Sequence, residues 1–283
     1  MNLGLVMGGG GIVGIAWELG VLAALQEAAG LEPTTAAVIV GSSAGSVAGA
    51  QAALGKDLRA LVESQRRTAA ASDSGATAAP APRAMPQAII EMMMSDTGSM
   101  EERAARVGQL AMEADLPMSE PEYVASFEGF LGTDEWPATD LRVTTAEAET
   151  GRSTLWSRDH GIGLVRAVAS SCAIPGFFPP VAFGGNHYID GPRGGFMAEL
   201  AADKALDAVL FIGPNAALPP AFARQAELEA LEGDGLPVLM ITGGEVLAEI
   251  GMNLMDPRLR ARAVEAGLED GRDAAVEVKA LLA

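Results

Sequence analysis

The sequence predicts an α/β protein in which helices cover a mostly parallel central sheet. Two successive segments, 3–29 and 36–54, each join a short apolar strand to a helix through a glycine-containing turn. Two such units in succession favour parallel strands with helices packed on the sheet. Two further apolar runs, 208–212 and 238–241, have the length of buried strands and extend the same organisation towards the C-terminus.

The first unit starts with a predicted strand at Leu3–Met7, which leads through the glycines 8–11 into a helix. We expect this helix to run from about Ile15 to Ala29, because apolar residues recur on one face at helical spacing. The residues of that face are Trp17, Val21, Leu22 and Leu25. Gly30 is the expected C-cap, since glycine readily adopts the left-handed conformation that ends a helix.

The second unit has a predicted strand at Val38–Val40 and a helix that continues from Gly45 to about Leu54. A charged helix is expected next, over 57–71. After it the chain becomes rich in alanine, serine and proline and loses its apolar period, a composition that is typical of a loop.

The region from about 69 to 125 is interpreted as a mobile or helical insertion in the α/β framework. Within it, the methionine-rich stretch 87–94 is predicted to be a short helix. Methionine suits surfaces that adapt to varied apolar ligands, although ordinary packing explains this composition equally well. Because the sequence shows no clear linker and no internal repeat, 1–283 is predicted to form a single domain.

Regular alternation of strands and helices resumes near Asp140. The predicted elements are a strand at 141–146, a helix at 164–171, a strand at 187–189 and the two later strands at 208–212 and 238–241. Arg258–Leu282 is predicted to be an amphipathic terminal helix. We expect it to break at Gly267 or Gly271, since glycine weakens the interior of a helix.

The chain is strongly acidic. Asp and Glu number 37 against 19 Lys and Arg, which gives a net charge of −18. Such a surface repels nucleic acid and anionic lipid headgroups, and no basic cluster reverses the sign locally. We therefore expect no nucleic-acid partner and no electrostatic attraction to an acidic membrane.

Three features predict a cytoplasmic protein. No uninterrupted apolar run reaches the length of a transmembrane helix, and the N-terminus lacks the basic leader of a signal peptide. Cys172 is the single cysteine, which excludes an intrachain disulfide and fits a reducing compartment. Its apolar surroundings predict a small core residue. The sequence gives no indication of the oligomeric state.

The glycine run between the first strand and helix predicts an anion site. Consecutive glycines let backbone N–H groups converge at a helix N-terminus, where a phosphate or a tetrahedral oxyanion binds. Gly9, Gly11 and Gly14 also match the dinucleotide pattern G-x-G-x-x-G. That alternative requires a carboxylate at the end of the second strand, where none is present, and Glu32 lies before the strand. The sequence therefore disfavours a dinucleotide site.

The segment Gly41-Ser42-Ser43-Ala44-Gly45 matches the G-x-S-x-G turn that carries a nucleophilic serine. In such a strand-to-helix turn the serine backbone is strained, and only small flanking residues avoid a clash. The hydroxyl of Ser43 is then expected to project from the sheet beside a helix N-terminus. The motif predicts that Ser43 is a nucleophile.

A nucleophilic serine needs a base. His160 and His187 both precede Asp190, whereas the histidine comes last in α/β-hydrolases. His187 also lies three residues before Asp190 on one predicted strand, so the two side chains point to opposite faces. His160 is expected in a surface turn. Although an Asp-Gly pair alone predicts only a turn, Asp190 is the better candidate and would act directly on Ser43 as a dyad.

The block from Ala169 to Val181, followed by Tyr188-Ile189-Asp190-Gly191, closely resembles the corresponding block of patatin-like phospholipases. The glycine run 8–11 resembles that family's oxyanion loop, and 41–45 resembles its nucleophile elbow. The three motifs occur in the family's order. The resemblance covers about 3–71 and 141–212.

The resemblance implies a three-layer patatin-like fold and a lipid acyl hydrolase that acts on a lipid or acyl-ester substrate. It implies that Ser43 is the nucleophile, that Asp190 is its partner, and that the oxyanion hole is formed around Gly9, Gly10 and Gly11. No cofactor and no metal are expected. Contact with a membrane surface is expected to be transient.

Two departures from the family pattern favour an alternative. The family's glycine loop usually carries Arg or Lys, but Ile12 and Val13 supply no cation. The family's Asp-Gly-Gly or Asp-Gly-Ala is replaced here by Asp190-Gly191-Pro192, and proline removes a backbone donor. The alternative is a catalytically weakened lipid- or partner-binding protein on the same fold.

Overall fold

A computed structural model of the protein describes residues 1–73, 91, 98–191, 196–214, 225–251 and 253–283. Within these residues the strands are β1 (Leu3–Met7), β2 (Val38–Ser42), β3 (Leu141–Glu147), β4 (Ser153–Trp156), β5 (Val181–Phe183), β6 (Asn186–Ile189), β7 (Ala208–Ile212) and β8 (Val238–Ile241). The helices are α1 (Gly11–Ala29), α2 (Ala44–Ala53), α3 (Leu58–Asp73), α4 (Met100–Glu113), α5 (Glu120–Ala125), α6 (Glu128–Leu131), α7 (Leu164–Ser171), α8 (Met197–Asp203), α9 (Gln225–Gly233), α10 (Glu245–Ile250), α11 (Arg260–Asp273) and α12 (Ala275–Leu282). Short 3₁₀ turns lie at Pro33–Thr35, Arg158–His160 and Pro257–Leu259.

The strands form one sheet in the order β5-β6-β3-β2-β1-β7-β8, and β4 also pairs with β3. Strands β3, β2, β1, β7 and β8 run parallel, whereas β4, β5 and β6 pair antiparallel. The neighbours β1 and β2 lead at their carboxyl ends into α1 and α2. Because parallel strands end at one edge of a sheet, the glycine run and Ser43 lie side by side there. The predicted α/β class with a mostly parallel sheet is confirmed.

Helices cover both faces of the sheet. Side chains alternate along β1, so Leu5 and Met7 enter a larger core with α1 and α2, while Val6 enters a smaller core on the other face. Helices α8 and α9 close the smaller core with Met197, Leu200, Leu228 and Leu231. The resulting arrangement has the three layers that were predicted.

Helix α1 is the central helix of the larger core. It begins at Gly11 rather than Ile15, because the N–H of Gly14 donates to the carbonyl of Gly10 at 2.7 Å and closes an earlier turn. It is buried on every side over 13–25, not only on the predicted face. Contrary to expectation, α1 is long and apolar enough to cross a membrane by length and composition alone. Since 78% of its apolar window is buried in the protein, its place in the core accounts for this composition.

The C-terminal helical segment breaks at Ala274, between α11 and α12, and not at either glycine. Both glycines instead allow α11 to lie close to α1. A Cβ on Gly267 would lie 2.1 Å from the carbonyl oxygen of Trp17, and one on Gly271 would lie 2.8 Å from that of Val21. The predicted break was wrong because these glycines serve helix packing rather than chain flexibility.

The predicted insertion at 69–125 is helical where the structure describes it, in the end of α3, α4 and α5. Residue 91 apart, the predicted methionine-rich helix at 87–94 lies outside the described residues, as does Pro192. The mobility of the insertion and the single domain over 1–283 stay predictions.

Candidate active site

Ser43 forms the turn between β2 and α2, where it is the N-cap of the helix. Its φ of 51° and ψ of −120° are values that a serine rarely adopts. A Cβ on Gly41 would lie 2.6 Å from the carbonyl oxygen of Gly45, and a Cβ on Gly45 would lie 2.4 Å from that of Gly8. Space therefore requires both glycines, and the turn has the geometry of a nucleophile elbow.

Three side chains hold the main chain of Ser43. Its N–H donates to Oγ of Ser171 at 2.8 Å. Its carbonyl accepts from Oγ of Ser46 at 2.7 Å and from Sγ of Cys172 at 3.2 Å. Because Ser43 is only 4% exposed, these hydrogen bonds replace those that water would otherwise provide.

The glycine loop, residues 8–11, packs against this elbow. The carbonyl of Gly8 accepts the N–H of Gly45 at 2.7 Å, which ties the loop to the start of α2. Within the part of the chain that the structure describes, the N–H groups of Gly9, Gly10 and Gly11 donate to no other group. They lie at the N-terminus of α1, where unpaired backbone donors favour a negatively charged oxygen.

Strand β3 brings the next part of the site together. Strand β4 pairs with β3 along 143–146 and occupies one of its two edges. The other edge is shared by β2, which runs parallel to β3, and β6, which runs antiparallel to it. These two strands therefore approach each other end to end along the same edge.

The pairing registers show where they meet. The last residues of β2 and β6 lie opposite Thr144 and Ala146 respectively. The residues that directly follow these strands are Ser43 after β2 and Asp190 after β6. Continuing the register places both of them at the edge of β3 beside Thr145. The register therefore places the backbones of Ser43 and Asp190 beside the same residue of β3.

Asp190 is half-buried. Its N–H donates to the carbonyl of Ala173 at 3.0 Å, directly after the helix whose end holds Ser43. Burial raises the pKa of Tyr123 well above its usual range, and electrostatic interactions with Cys172 and Asp190 raise it further. Tyr123 is therefore a neutral hydroxyl, and Asp190 belongs to its electrostatic surroundings.

Neither histidine belongs to this site. The side chain of His187 is 46% exposed and its Nδ1 lies 2.8 Å from Oε1 of Glu149. His160 ends a 3₁₀ turn, where its Nδ1 lies 2.9 Å from Oγ of Ser157. These positions agree with the expectation that no histidine completes a triad with Ser43.

An apolar cavity of about 160 Å³ opens beside Ser43. Its lining includes Gly11, the elbow residues Ser43 and Ala44, and a group of aromatic side chains that we call the aromatic wall. The wall consists of Tyr123, Phe127, Phe130 and Phe178. The rings of Tyr123 and Phe178 stack with centroids 4.8 Å apart, and Phe127 meets Tyr123 edge-on at 5.2 Å. None of the described residues that line the cavity is Arg, Lys or His.

Sequence reasoning missed two parts of this site. Cys172 packs against the larger core, as predicted, but it is only half-buried and also lines the cavity, which the prediction missed. The aromatic wall went unnoticed although Tyr123, Phe127 and Phe130 follow the i, i+4, i+7 spacing of one helical face. That spacing was the available signal, but it starts at the end of the segment interpreted as an insertion and continues past it.

The dinucleotide alternative finds no support in the described residues. β2 ends at Ser42, whose Oγ accepts from Oγ1 of Thr144 at 2.7 Å, so a hydroxyl stands where a dinucleotide site requires a carboxylate. Glu32 precedes the strand and accepts from Gln26 at 3.2 Å. A larger, open depression of about 620 Å³ lies between 34–36, 53–54 and 137–140, beside the amino ends of β2 and β3. Ligands of such sheets bind at the opposite, carboxyl edge.

Comparisons with known proteins found a matching family model and structures that this chain resembles. A family model described as patatin-like phospholipase matches residues 5–194. The structure of VipD from Legionella pneumophila aligns at 16% identity and a TM-score of 0.49, over 99% of this chain and 67% of that one. Human GIVD cytosolic phospholipase A2, in complex with methyl γ-linolenyl fluorophosphonate, aligns at 13% identity and a TM-score of 0.51. This chain spans 58% of that human chain, with which it shares the fold. No match was found among curated protein sequences.

Proposed function

Because the chain belongs to the patatin-like phospholipase family, we propose that it is a serine acyl hydrolase that cleaves fatty-acyl esters of lipids. Ser43 and Asp190 are the proposed dyad. The observation that supports this proposal is the strained elbow of Ser43, which lines an apolar cavity and, like Asp190, directly follows a strand paired to the same edge of β3. A polar nucleophile beside an apolar cavity fits an ester with an apolar acyl chain.

The proposed reaction proceeds through a serine acyl-enzyme. Asp190 accepts the hydroxyl proton of Ser43 as Oγ attacks the ester carbonyl. The tetrahedral intermediate collapses, the C–O bond breaks, and the alcohol leaves with the proton that Asp190 had accepted. Water then gives a proton to Asp190 as it attacks the acyl-enzyme, and Asp190 passes that proton to Oγ of Ser43 as the fatty acid leaves.

Backbone donors of the glycine loop would stabilise the oxyanion. Gly9, Gly10 and Gly11 have N–H groups that no other described group uses, and Gly11 lines the cavity with Ser43. Donors that are fixed before the reaction stabilise the developing charge without reorganisation. Since the described lining contains no cation, the proposed stabilisation depends on these amides and on the dipole of α1.

That missing cation is also the observation behind the second candidate function, a weakened enzyme that binds a lipid or a partner. The two candidates differ in one property, because only an activated serine turns over an ester. A binding protein would retain the cavity without the chemistry.

The test is a panel of acyl esters, from p-nitrophenyl esters to phospholipids, with released fatty acid as the readout. We expect turnover by the wild type and loss of it in Ser43→Ala. Ser42→Ala serves as the matched control, since Ser42 lies one residue away within β2. Absence of turnover on every ester, together with lipid binding, would favour the binding function.

A further inference from the structure

Three consecutive residues at the C-terminal end of α7 contact the main chains of both proposed dyad residues. Oγ of Ser171 accepts the N–H of Ser43 at 2.8 Å. Sγ of Cys172 donates to the carbonyl of Ser43 at 3.2 Å. The carbonyl of Ala173 accepts the N–H of Asp190 at 3.0 Å. One short turn of the chain therefore contacts the backbone of both the proposed nucleophile and the proposed base.

We propose that this turn, residues 171–173, sets the position of Ser43 relative to Asp190, and that Ser171 is the positioning residue for the nucleophile. The inference rests on the proposed function, because it concerns the geometry of that dyad. Ser171 would act only through the backbone of Ser43 and would not touch the substrate.

The conformation of Ser43 explains why positioning is needed. Its φ of 51° and ψ of −120° lie where a residue with a side chain is strained, and such a conformation persists only when its surroundings fix it. The N–H of Ser43 is at the N-terminus of α2, where the helix itself offers no acceptor. Ser171 is fully buried and supplies that acceptor.

The two main-chain groups of Ser43 differ in how they are held. Its carbonyl accepts from both Ser46 and Cys172, so one donor remains when the other is removed. Its N–H donates to Ser171. Loss of the Ser171 hydroxyl is therefore the more sensitive test. The same hydrogen bond occupies the Ser43 N–H, which directs the oxyanion to the glycine-loop amides instead.

The experiment compares Ser171→Ala with Ser170→Ala in the full chain. Ser170 is the matched control because it is equally buried on the same helix, while its Oγ donates to the carbonyl of Ala167 and accepts from Trp156. Each variant is measured for kcat and KM on one acyl ester, for the rate of fluorophosphonate labelling, and for its thermal midpoint. Ser171→Cys, which keeps the volume but accepts hydrogen bonds weakly, is a second test if Ser171→Ala unfolds.

We expect Ser171→Ala to lower kcat and the labelling rate by about 10- to 100-fold with KM within about twofold, because a small misplacement of a reacting atom slows chemistry rather than binding. Ser170→Ala should lower the thermal midpoint and leave kcat near the wild-type value. Equal kcat values in the two variants would overturn the positioning role. So would losses of kcat that parallel the losses of thermal midpoint in both variants. Either result would leave the proposed function itself unaffected. A wild-type protein that hydrolyses no ester would overturn both proposals.

Discussion

Asp190 is the residue on which the proposed proton transfer depends. Asparagine has nearly the same shape but cannot accept the proton, so Asp190→Asn should lower kcat by about 10³-fold while the protein stays folded. Ester hydrolysis and circular dichroism on the same preparation measure both effects. His187→Gln is the control, since His187 is exposed and paired with Glu149. A folded Asp190→Asn protein with undiminished rates, or an inactive His187→Gln protein, would contradict the assignment of the base.

Residue-level prediction succeeded where local chemistry decides the role. Ser43 could be singled out because the glycines of its motif leave room for a strained turn, a requirement that neighbouring residues impose. The role of Cys172 could not be predicted. Its contact is with Ser43, 129 positions earlier in the chain, and nothing in the local sequence indicates that α7 ends against the elbow.

At the scale of elements, the packing of α1 against α11 depends on glycine. A Cβ on Gly267 would lie 2.1 Å from the carbonyl oxygen of Trp17, so Gly267→Ala must push the helices apart. We expect the free energy of unfolding to fall by about 2 kcal/mol or more, measured by urea denaturation. Gly129→Ala is the control, since nothing lies within 4 Å of a Cβ there. A Gly267→Ala protein as stable as this control would show that the two helices are not so close.

The aromatic wall predicts how acyl-chain length is selected. A cavity of about 160 Å³ is close in size to one that holds a six-carbon ring, about 150 Å³, so the site should favour short acyl chains. Phe178→Ala removes one ring from the wall and should shift the optimum towards longer chains. The measurement is the rate on p-nitrophenyl esters of increasing length.

Phe183→Ala is the matched control for that series. Phe183 packs edge-on against Trp156 at 5.6 Å and is not part of the cavity lining. It should leave the chain-length profile unchanged. An unchanged profile in Phe178→Ala would exclude this cavity as the acyl site.

Strands and helices that carry a local signal, such as an apolar run or a capping motif, could be predicted from the sequence. Features that depend on packing against distant residues could not. The strands β7 and β8 follow from apolar runs alone. The starts of α4 and α5 carry capping boxes, Ser99 with Glu102 and Ser119 with Glu122, which are local signals that the sequence offered. The break at Ala274 has no such signal, because packing against α1 keeps the nearby glycines helical.

At the scale of the whole molecule, the net charge of −18 predicts how substrate presentation affects the rate. Hydrolysis of an ester embedded in anionic vesicles should be slower than in zwitterionic vesicles at low salt, because the surfaces repel each other. The difference should shrink when the ionic strength is raised, since salt screens exposed charges. Faster hydrolysis in anionic vesicles would indicate a local basic surface that the composition does not reveal.

The molecule as a whole also explains why the site could be predicted only in part. The fold class follows from the order of elements along the chain. The placement of Ser43 and Asp190 beside one residue of β3 follows from β2 and β6 sharing one edge of that strand, and β6 pairs with residues of β3 more than forty positions away. Such long-range register is a property of the folded sheet. The pairing of Ser43 with Asp190 could therefore be predicted from the sequence only with the help of its resemblance to a family.

The most direct test of the proposed function is the site and rate of fluorophosphonate labelling in the wild-type protein. Intact mass and peptide mapping would show whether one phosphonyl group is added and to which residue. The proposed dyad predicts a single adduct on Ser43 that forms far more slowly in Asp190→Asn. An unlabelled wild-type protein, an adduct on another residue, or equal labelling rates in the two proteins would contradict it.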